Sequence, residues 1–342
     1  MADALTSGPI LIWGAGAIGG TLGAAWARAG HDVLLVDQDA DHVAAMNHDG
    51  LAIEGPVEEY RQPVRALTPD QVEGRFDRIV LAVKAHHTEA AARQLAPHLA
   101  DDGFVLSAQN GLNEITLARV LGERRVMGGF LNYGADYLAP GRILRGNRAA
   151  VVVGELDGTV APRTKAMHAL LQVFEPDAVL TTDIWAYLWG KLGYGALLFA
   201  TALTNESIAD ALASERHRPV YARLGQEVMR VAAAKGVRPK GFNGFEPAAF
   251  APGADEGALR RSLEAMVTFN RGSAKSHSGI WRDLAVRKRR TEVDAQVGVV
   301  AALGRELGIA TPGLERLVVL IHDIEEGRRP LAWETLDAML TP

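Results

Sequence analysis

The chain contains no cysteine. That excludes a disulfide framework, a thiolate nucleophile and a cysteine-ligated metal, and it fits a reducing, cytoplasmic setting. A long unbroken apolar run is also missing. The longest helical apolar stretch, Leu192–Leu203, is too short to cross a bilayer, and the apolar residues near the start are interrupted by Gly14, Gly16, Gly19 and Gly20. The opening residues lack the basic start of a signal peptide. Neither sign of charge dominates: 36 Lys and Arg against 41 Asp and Glu leave −5, which argues against nucleic acid as a main partner. No metal site is expected, since the adjacent His86 and His87 would diverge on a helix and make a poor ligand pair. The expectation is a soluble protein without nucleic-acid or membrane partners, its 342 residues enough for about two domains.

Glycine, in contrast, is placed with purpose. Ile10 to Asp37 reads as a strand, a turn Gly14-Ala15-Gly16-Ala17-Ile18-Gly19, an Ala-rich helix and a second strand. Gly14 permits the tight turn, Gly16 lets backbone N–H groups approach a pyrophosphate, and Gly19 lets the helix pack on the strand. The helix start at Ala17 and Ile18 offers free N–H donors and partial positive charge. Asp37, 21 residues beyond Gly16, is placed to accept hydrogen bonds from an adenosine ribose. A carboxylate there repels a 2′-phosphate, and Gln38 rather than arginine follows. The cofactor reading is NAD in preference to NADP. A glycine-rich turn without a ligand is the plain alternative.

Strand patterns continue through Phe76–Val83, Gly103–Ser107, Arg125–Phe130 and Ala149–Glu155, with short strands expected within Leu51–Gln62, helices after Asp41 and over Thr88–Leu99, and a turn at Pro140-Gly141. Alternation of this kind gives a mostly parallel sheet with helices on both faces. Lys84 and Asn110 each follow a strand, at the edge where open α/β sheets bind ligands. Each also has an ordinary reading, a surface lysine and an Asn-Gly turn. Near Trp185 the pattern turns helical, with helices expected over Trp185–Leu203, Val220–Lys235, Ala258–Thr268, Thr291–Leu307 and Gly313–Glu326. Gly236, Gly308 and Gly327 are the expected stops, and Gly241–Gly257 reads as a long loop. The domains are therefore 1–183, an α/β dinucleotide-binding domain, and 184–342, an all-α domain whose long apolar helices make a homodimer an expectation.

Lys191 is the only charge on a helix that is apolar nearly all round. Desolvation lowers a lysine pKa and makes it a usable proton donor; a lysine snorkelling to the surface is the equal alternative. Gly190, Gly193 and Gly195 weaken the same helix, so close approach of a neighbour or ligand is expected. Thr291 reads as an N-cap with Asp294 as its capping-box partner, which puts Glu292 in the first turn. A carboxylate lining a substrate cleft is the functional alternative for Glu292. Arg287–Arg290 reads as a solvated run with the option of holding an anion, and Ser276, His277 and Ser278 as a polar turn with hydroxyl donors.

These landmarks together resemble the ketopantoate reductases (2-dehydropantoate 2-reductases) along nearly the whole chain. They are the glycine turn, Val83-Lys84-Ala85, Gln109-Asn110-Gly111, Pro140-Gly141 with Gly154-Glu155, Trp189-Gly190-Lys191-Leu192, Thr291-Glu292-Val293-Asp294 and Gly308-Ile309-Ala310-Thr311-Pro312. The resemblance implies a Rossmann domain followed by a 6-phosphogluconate-dehydrogenase-like helical domain, with hydride transfer between a nicotinamide and a small anionic 2-oxo or 2-hydroxy acid in a cleft between them. It implies Lys191 as general acid or base, Asn110 in the active site, Lys84 near the cofactor, Glu292 on the substrate, and Ser278 near a substrate-binding serine. One extra residue between Asp283 and Glu292 makes that last position ambiguous. Two departures stand out. The family's lysine helix usually carries asparagines four and eight residues on, where this chain has Gly195 and Phe199, or Leu198 if the spacing slips by one. The family mostly prefers NADP, with a basic residue where this chain has Asp37. A site without those amides has lost donors tuned to the same polar substrate, so a bulkier or less polar hydroxy acid, a 3-hydroxy acid or another alcohol is the alternative. An NAD(H) sensor without turnover is the reading from a different class.

Overall fold

The computed structural model describes residues 8–272 and 276–340; the opening residues 1–7, which bear on the signal-peptide expectation, lie outside them. Runs of branched and aromatic residues bounded by Gly, Pro and Asp form the strands. These are β1 (Ile10–Trp13), β2 (Val33–Val36), β3 (Leu51–Glu54), β4 (Tyr60–Gln62), β5 (Arg65–Leu67) and β6 (Phe76–Leu81). They continue with β7 (Leu99–Ser107), β8 (Val126–Leu131), β9 (Ala135–Ala139), β10 (Arg142–Arg145), β11 (Val151–Glu155) and β12 (Val179–Leu180). Eight of them make one sheet in the order β12-β11-β8-β7-β6-β1-β2-β5. All its neighbours run parallel except β8 and β11. β1 and β2 are buried along their whole length, as parallel strands covered on both faces must be. The remaining strands form a four-stranded sheet, β4-β3-β10-β9.

Helices α1 (Ala17–Arg28), α2 (Ala40–Asp49), α3 (Thr88–Leu95), α4 (Asn113–Leu121) and α5 (Pro162–Phe174) belong to the same unit. The indole N–H of Trp26 on α1 donates to the Leu170 carbonyl of α5 at 2.6 Å. The helix expected over Thr88–Leu99 stops at Leu95, because Pro97 cannot donate an amide hydrogen to an α-helical ladder. A single 3₁₀ turn over Ala96–His98 follows, and β7 begins at Leu99 rather than Gly103. Helices α4 and α5 were not anticipated.

The chain divides into two compact units at Ile184/Trp185. The second is helical: α6 (Ile184–Thr201), α7 (Ile208–Ala213), α8 (Arg218–Ala234), α9 (Glu256–Arg271), α10 (Gly279–Trp281), α11 (Val299–Glu306), α12 (Pro312–Glu325) and α13 (Trp333–Asp337). π turns over Arg282–Val286 and Asp294–Gly298 follow α10 and precede α11. Gly236, Gly308 and Gly327 end helices with φ of 74°, 68° and 73°, the left-handed geometry that glycine adopts without strain. The loop after Gly241 is not merely a surface connection. It buries Phe245 and Phe250 to 2% and 0% exposure, each worth roughly 1.5–3 kcal/mol of burial. No helix among the described residues is long and apolar enough to cross a membrane.

Candidate active site

The parallel register brings the sequence landmarks of the first unit to one edge. Trp13 pairs with Leu81 and Leu81 with Ser107, so β1, β6 and β7 end in one row. Three residues past that row lie Gly16, Lys84 and Asn110. The strand order reverses at β1, with β2 on one side and β6 on the other, which is where open α/β sheets bind ligands. Gly14 has φ 99°, and a methyl there would lie 2.7 Å from the Val83 nitrogen. At Gly19 an added methyl would run into the Gly14 carbonyl, whereas at Gly16 it would meet nothing within 4 Å. The turn is thus closed on its inner side and open in front of Gly16. No side chain caps α1, so the N–H groups after Gly16, at Ala17 and Ile18, donate no cap hydrogen bond to the residue that precedes the helix. An open, uncapped helix start fits a pyrophosphate, and these residues suit a dinucleotide.

Asp37 follows β2, half-buried, and accepts the Asp39 N–H at 3.1 Å. Asp39 caps α2 by accepting from Asp41 and His42, and the Tyr137 hydroxyl donates to it at 3.1 Å. Burial first, then the Asp39 hydrogen bond and the charges of Asp39, Asp37 and Asp41, push the Tyr137 phenol up to about 12. His42 was not anticipated. It is fully buried, accepts the Gly141 N–H at Nδ1 (2.9 Å) and contacts the Ala15 carbonyl through Nε2 (3.0 Å). Because Nδ1 is the acceptor, Nε2 carries the hydrogen and donates to Ala15. The ring pins the glycine turn from behind.

A second unanticipated group ties Lys84 to Asn110. The buried Gln109 amide donates to the Val83 carbonyl and to Thr88 Oγ1, both at 2.8 Å. Thr88 Oγ1 donates to Asn113 Oδ1 at 2.9 Å, and Asn113 Nδ2 donates to the Asn110 carbonyl at 2.6 Å. The ladder clamps the ends of β6 and β7 together. Asn110 is half-buried, and its side-chain amide has no hydrogen bond among the described residues. Lys84 is exposed. Only the spacing of Asn113 from Asn110 could have hinted at this in the sequence.

In the second unit, Lys191 and Leu198 are the only positions from Leu188 to Thr201 that are half-buried rather than buried. They lie seven residues apart on one helical face, with Gly195 between them. Lys191 and Glu292 each already take part in an interaction. Phe199 is 0% exposed; it points into packed protein and is removed from the set of substrate contacts expected above. Ser278 is 4% exposed and its Oγ accepts the Trp281 N–H at 3.1 Å, which caps α10 and leaves the hydroxyl hydrogen to donate. The expected Thr291–Asp294 capping box does not form. Glu325 accepts both the Thr291 N–H and its hydroxyl at 2.7 Å, and Asp294 bonds His322 at 3.1 Å. The expected solvated run is partly engaged too: Arg287 and Arg289 both donate to the buried Asp283 at 2.9 Å.

A family model described as ketopantoate reductase PanE/ApbA matches residues 10–158, and its C-terminal counterpart matches residues 183–325. The chain belongs to the ketopantoate reductase family. A 2-dehydropantoate 2-reductase of Mesorhizobium japonicum is 30% identical over 340 residues, covering 92% of this chain and 96% of the relative. One from Archaeoglobus fulgidus is 28% identical over 320 residues, covering 93% and 98%. Among solved structures, a PanE/ApbA family ketopantoate reductase from Ralstonia eutropha superposes with a TM-score of 0.78 at 27% identity, covering 93% of this chain and 99% of that one. A D-mandelate dehydrogenase solved with NADH and anilino(oxo)acetate shares the fold, with a TM-score of 0.80 at 21% identity and coverage of 93% and 98%. The ketopantoate reductase architecture, a Rossmann-like parallel-sheet domain followed by a helical domain, is the one described above. As a member, the chain is an oxidoreductase of the NAD(P)-dependent class that acts on CH–OH groups.

Proposed function

We propose that the chain interconverts a small 2-oxo acid and its 2-hydroxy acid with NAD(H), ketopantoate and pantoate being the nearest named pair. The observation that carries this reading is the alignment of Gly16, Lys84 and Asn110 at the ends of three adjacent parallel strands. When bound, a nicotinamide dinucleotide supplies the hydride donor or acceptor. Gly14, Gly16 and Gly19 shape its turn, the N–H groups at Ala17 and Ile18 take the pyrophosphate, and Asp37 takes the adenosine ribose. Asn110 offers an unengaged amide at the strand end, and Lys84 offers positive charge nearby. Lys191 gives a proton to the carbonyl oxygen as negative charge develops on it, or takes one from the hydroxyl in the oxidising direction. Glu292 orients the substrate.

Taken by itself, the lysine face of α6, where Gly195 and Leu198 follow Lys191 and contribute no polar group, favours a substrate less polar than ketopantoate. Steady-state kinetics decide between the two, scanning ketopantoate, pantoate and other 2-oxo and 2-hydroxy acids with NAD(H) and NADP(H). Lys191→Ala should lower kcat by about 10²–10⁴ while leaving the thermal melt unchanged. Near-normal turnover in that variant would refute the assignment.

A further inference from the structure

Helix α6 carries three glycines in one short stretch, Gly190, Gly193 and Gly195. Two are explained by packing. A methyl at Gly190 would run into the Lys240 carbonyl, and one at Gly193 would lie 2.7 Å from the Phe245 ring. Gly195 has no such reason. A methyl there would meet one atom within 4 Å, Gln296 Oε1, at an ordinary 3.6 Å. Among the described residues, no other element comes within 4 Å of that methyl; only the end of one amide side chain reaches it.

The placement of that amide is specific. Gln296 lies in the π turn Asp294–Gly298 and donates its backbone N–H to the Glu292 carbonyl at 3.1 Å. It therefore follows Glu292 by one turn, as Gly195 follows Lys191 by one turn. π turns are rare and recur at functional sites. Gln296 is half-buried, and its side-chain amide bonds no described residue. A half-buried amide without a protein partner calls for water or a ligand.

We propose that Gln296 is a specificity-determining residue of the substrate site, reaching across the gap at Gly195 to hydrogen-bond an oxygen of the hydroxy or oxo acid. The proposal rests on the reading of Lys191 and Glu292 as substrate-facing residues. An amide donates and accepts, so it serves a hydroxyl or a carboxylate. It supplies from the facing π turn the polar group that the Lys191–Gly195–Leu198 face lacks. The absent side chain at Gly195 is what leaves it room.

The test uses the full-length protein saturated with NADH. Gln296→Met removes donor and acceptor at nearly constant volume. Ketopantoate and benzoylformate are assayed by turnover, and anilino(oxo)acetate, which needs no turnover, by quenching of NADH fluorescence. The expected result is a rise of about tenfold to a hundredfold in KM or Kd for the acids, with NADH affinity and melting temperature unchanged. Gly195→Asn in a Gln296→Ala background should recover part of that loss. Values within twofold of the parent protein for every acid overturn the assignment. Lys191→Ala, run in parallel, separates the failures. If it is inactive while Gln296→Met is unaffected, the Gln296 assignment alone falls. If it turns over normally, or if the parent protein neither binds nor reduces any of the acids, the underlying reading falls and the proposal with it.

Discussion

Replacing Asp37 with Asn tests the cofactor preference most directly, since it keeps the shape and removes one charge. The surroundings amplify that charge: Asp39 and Asp41 are exposed in the same turn, and the Tyr137 phenol, raised by burial and by these three carboxylates, registers their combined potential. A 2′-phosphate carries about −1.5 to −2. Unit charges about 4 Å apart interact by about 1 kcal/mol in water and about 4 kcal/mol at an effective dielectric of about 20. A phosphate beside Asp37 at a partly solvated position is therefore disfavoured by roughly 1.5–3 kcal/mol. Losing a charged acceptor for the ribose hydroxyls weakens NADH by about 1 kcal/mol. Both effects move the NADPH:NADH ratio the same way, so Asp37→Asn should shift it by about two orders of magnitude at low salt. Fluorescence titration of both dinucleotides at about 20 mM and about 500 mM salt reads this out. The repulsive part must shrink at high salt, where charges are screened over a few ångströms, while the hydrogen-bond part must not. A ratio that changes less than about threefold, or by the same factor at both salt concentrations, refutes the reasoning.

The glycines of α6 make a paired prediction. Gly195→Ala should leave the protein as stable or raise it by about 1 kcal/mol, since its methyl finds only an ordinary contact at 3.6 Å, whereas Gly190→Ala should lower the melting temperature sharply. Equal effects in thermal melts would contradict the packing described. His322 makes a pH prediction. Burial pulls its pKa down, but hydrogen bonds to Glu325 and Asp294 and their charges outweigh it, so the folded pKa stands above the ordinary 6.5. A raised folded pKa contributes stability that is complete below the unfolded value and is lost as pH rises through the folded one. The melting-temperature advantage of the parent over His322→Gln should therefore be largest in acid and shrink as pH climbs above about 6.5. Parallel curves for the two proteins would exclude this contribution.

The first unit was legible because its chemistry imposes spacing. A strand that alternates little, a turn that needs glycine at fixed offsets and a helix of regular period can each be counted along the chain. Parallel register then carries Lys84 and Asn110 to the same edge without further information. His42 could not be counted. It holds the Ala15 carbonyl from 27 residues away, and nothing near it in sequence marks it. The capping box failed for a related reason. Thr291 and Asp294 have the right local spacing, but Glu325, 34 residues on, takes both Thr291 donors. The Glu325 side chain is 2% exposed and Thr291 is itself buried at 8%, so both need partners away from water, and the distant pairing satisfies them together where the local box would leave the carboxylate without those donors.

The three glycines of α6 show where the boundary between the two kinds of residue lies. From sequence, each is the same helix-weakening residue awaiting compensation. The fold separates them by what stands opposite: a backbone carbonyl at Gly190, an aromatic ring at Gly193, and at Gly195 only the end of a glutamine side chain. The first two glycines are consequences of packing, and substituting them disturbs structure before function. The third is the one that packing does not require. The lysine face of α6 lacks an amide of its own, yet a half-buried amide arrives beside Gly195 from the π turn that follows Glu292. A substrate pocket constrains which groups meet in space and leaves free which element supplies each of them. Reading α6 alone therefore makes this face more apolar than the structure does.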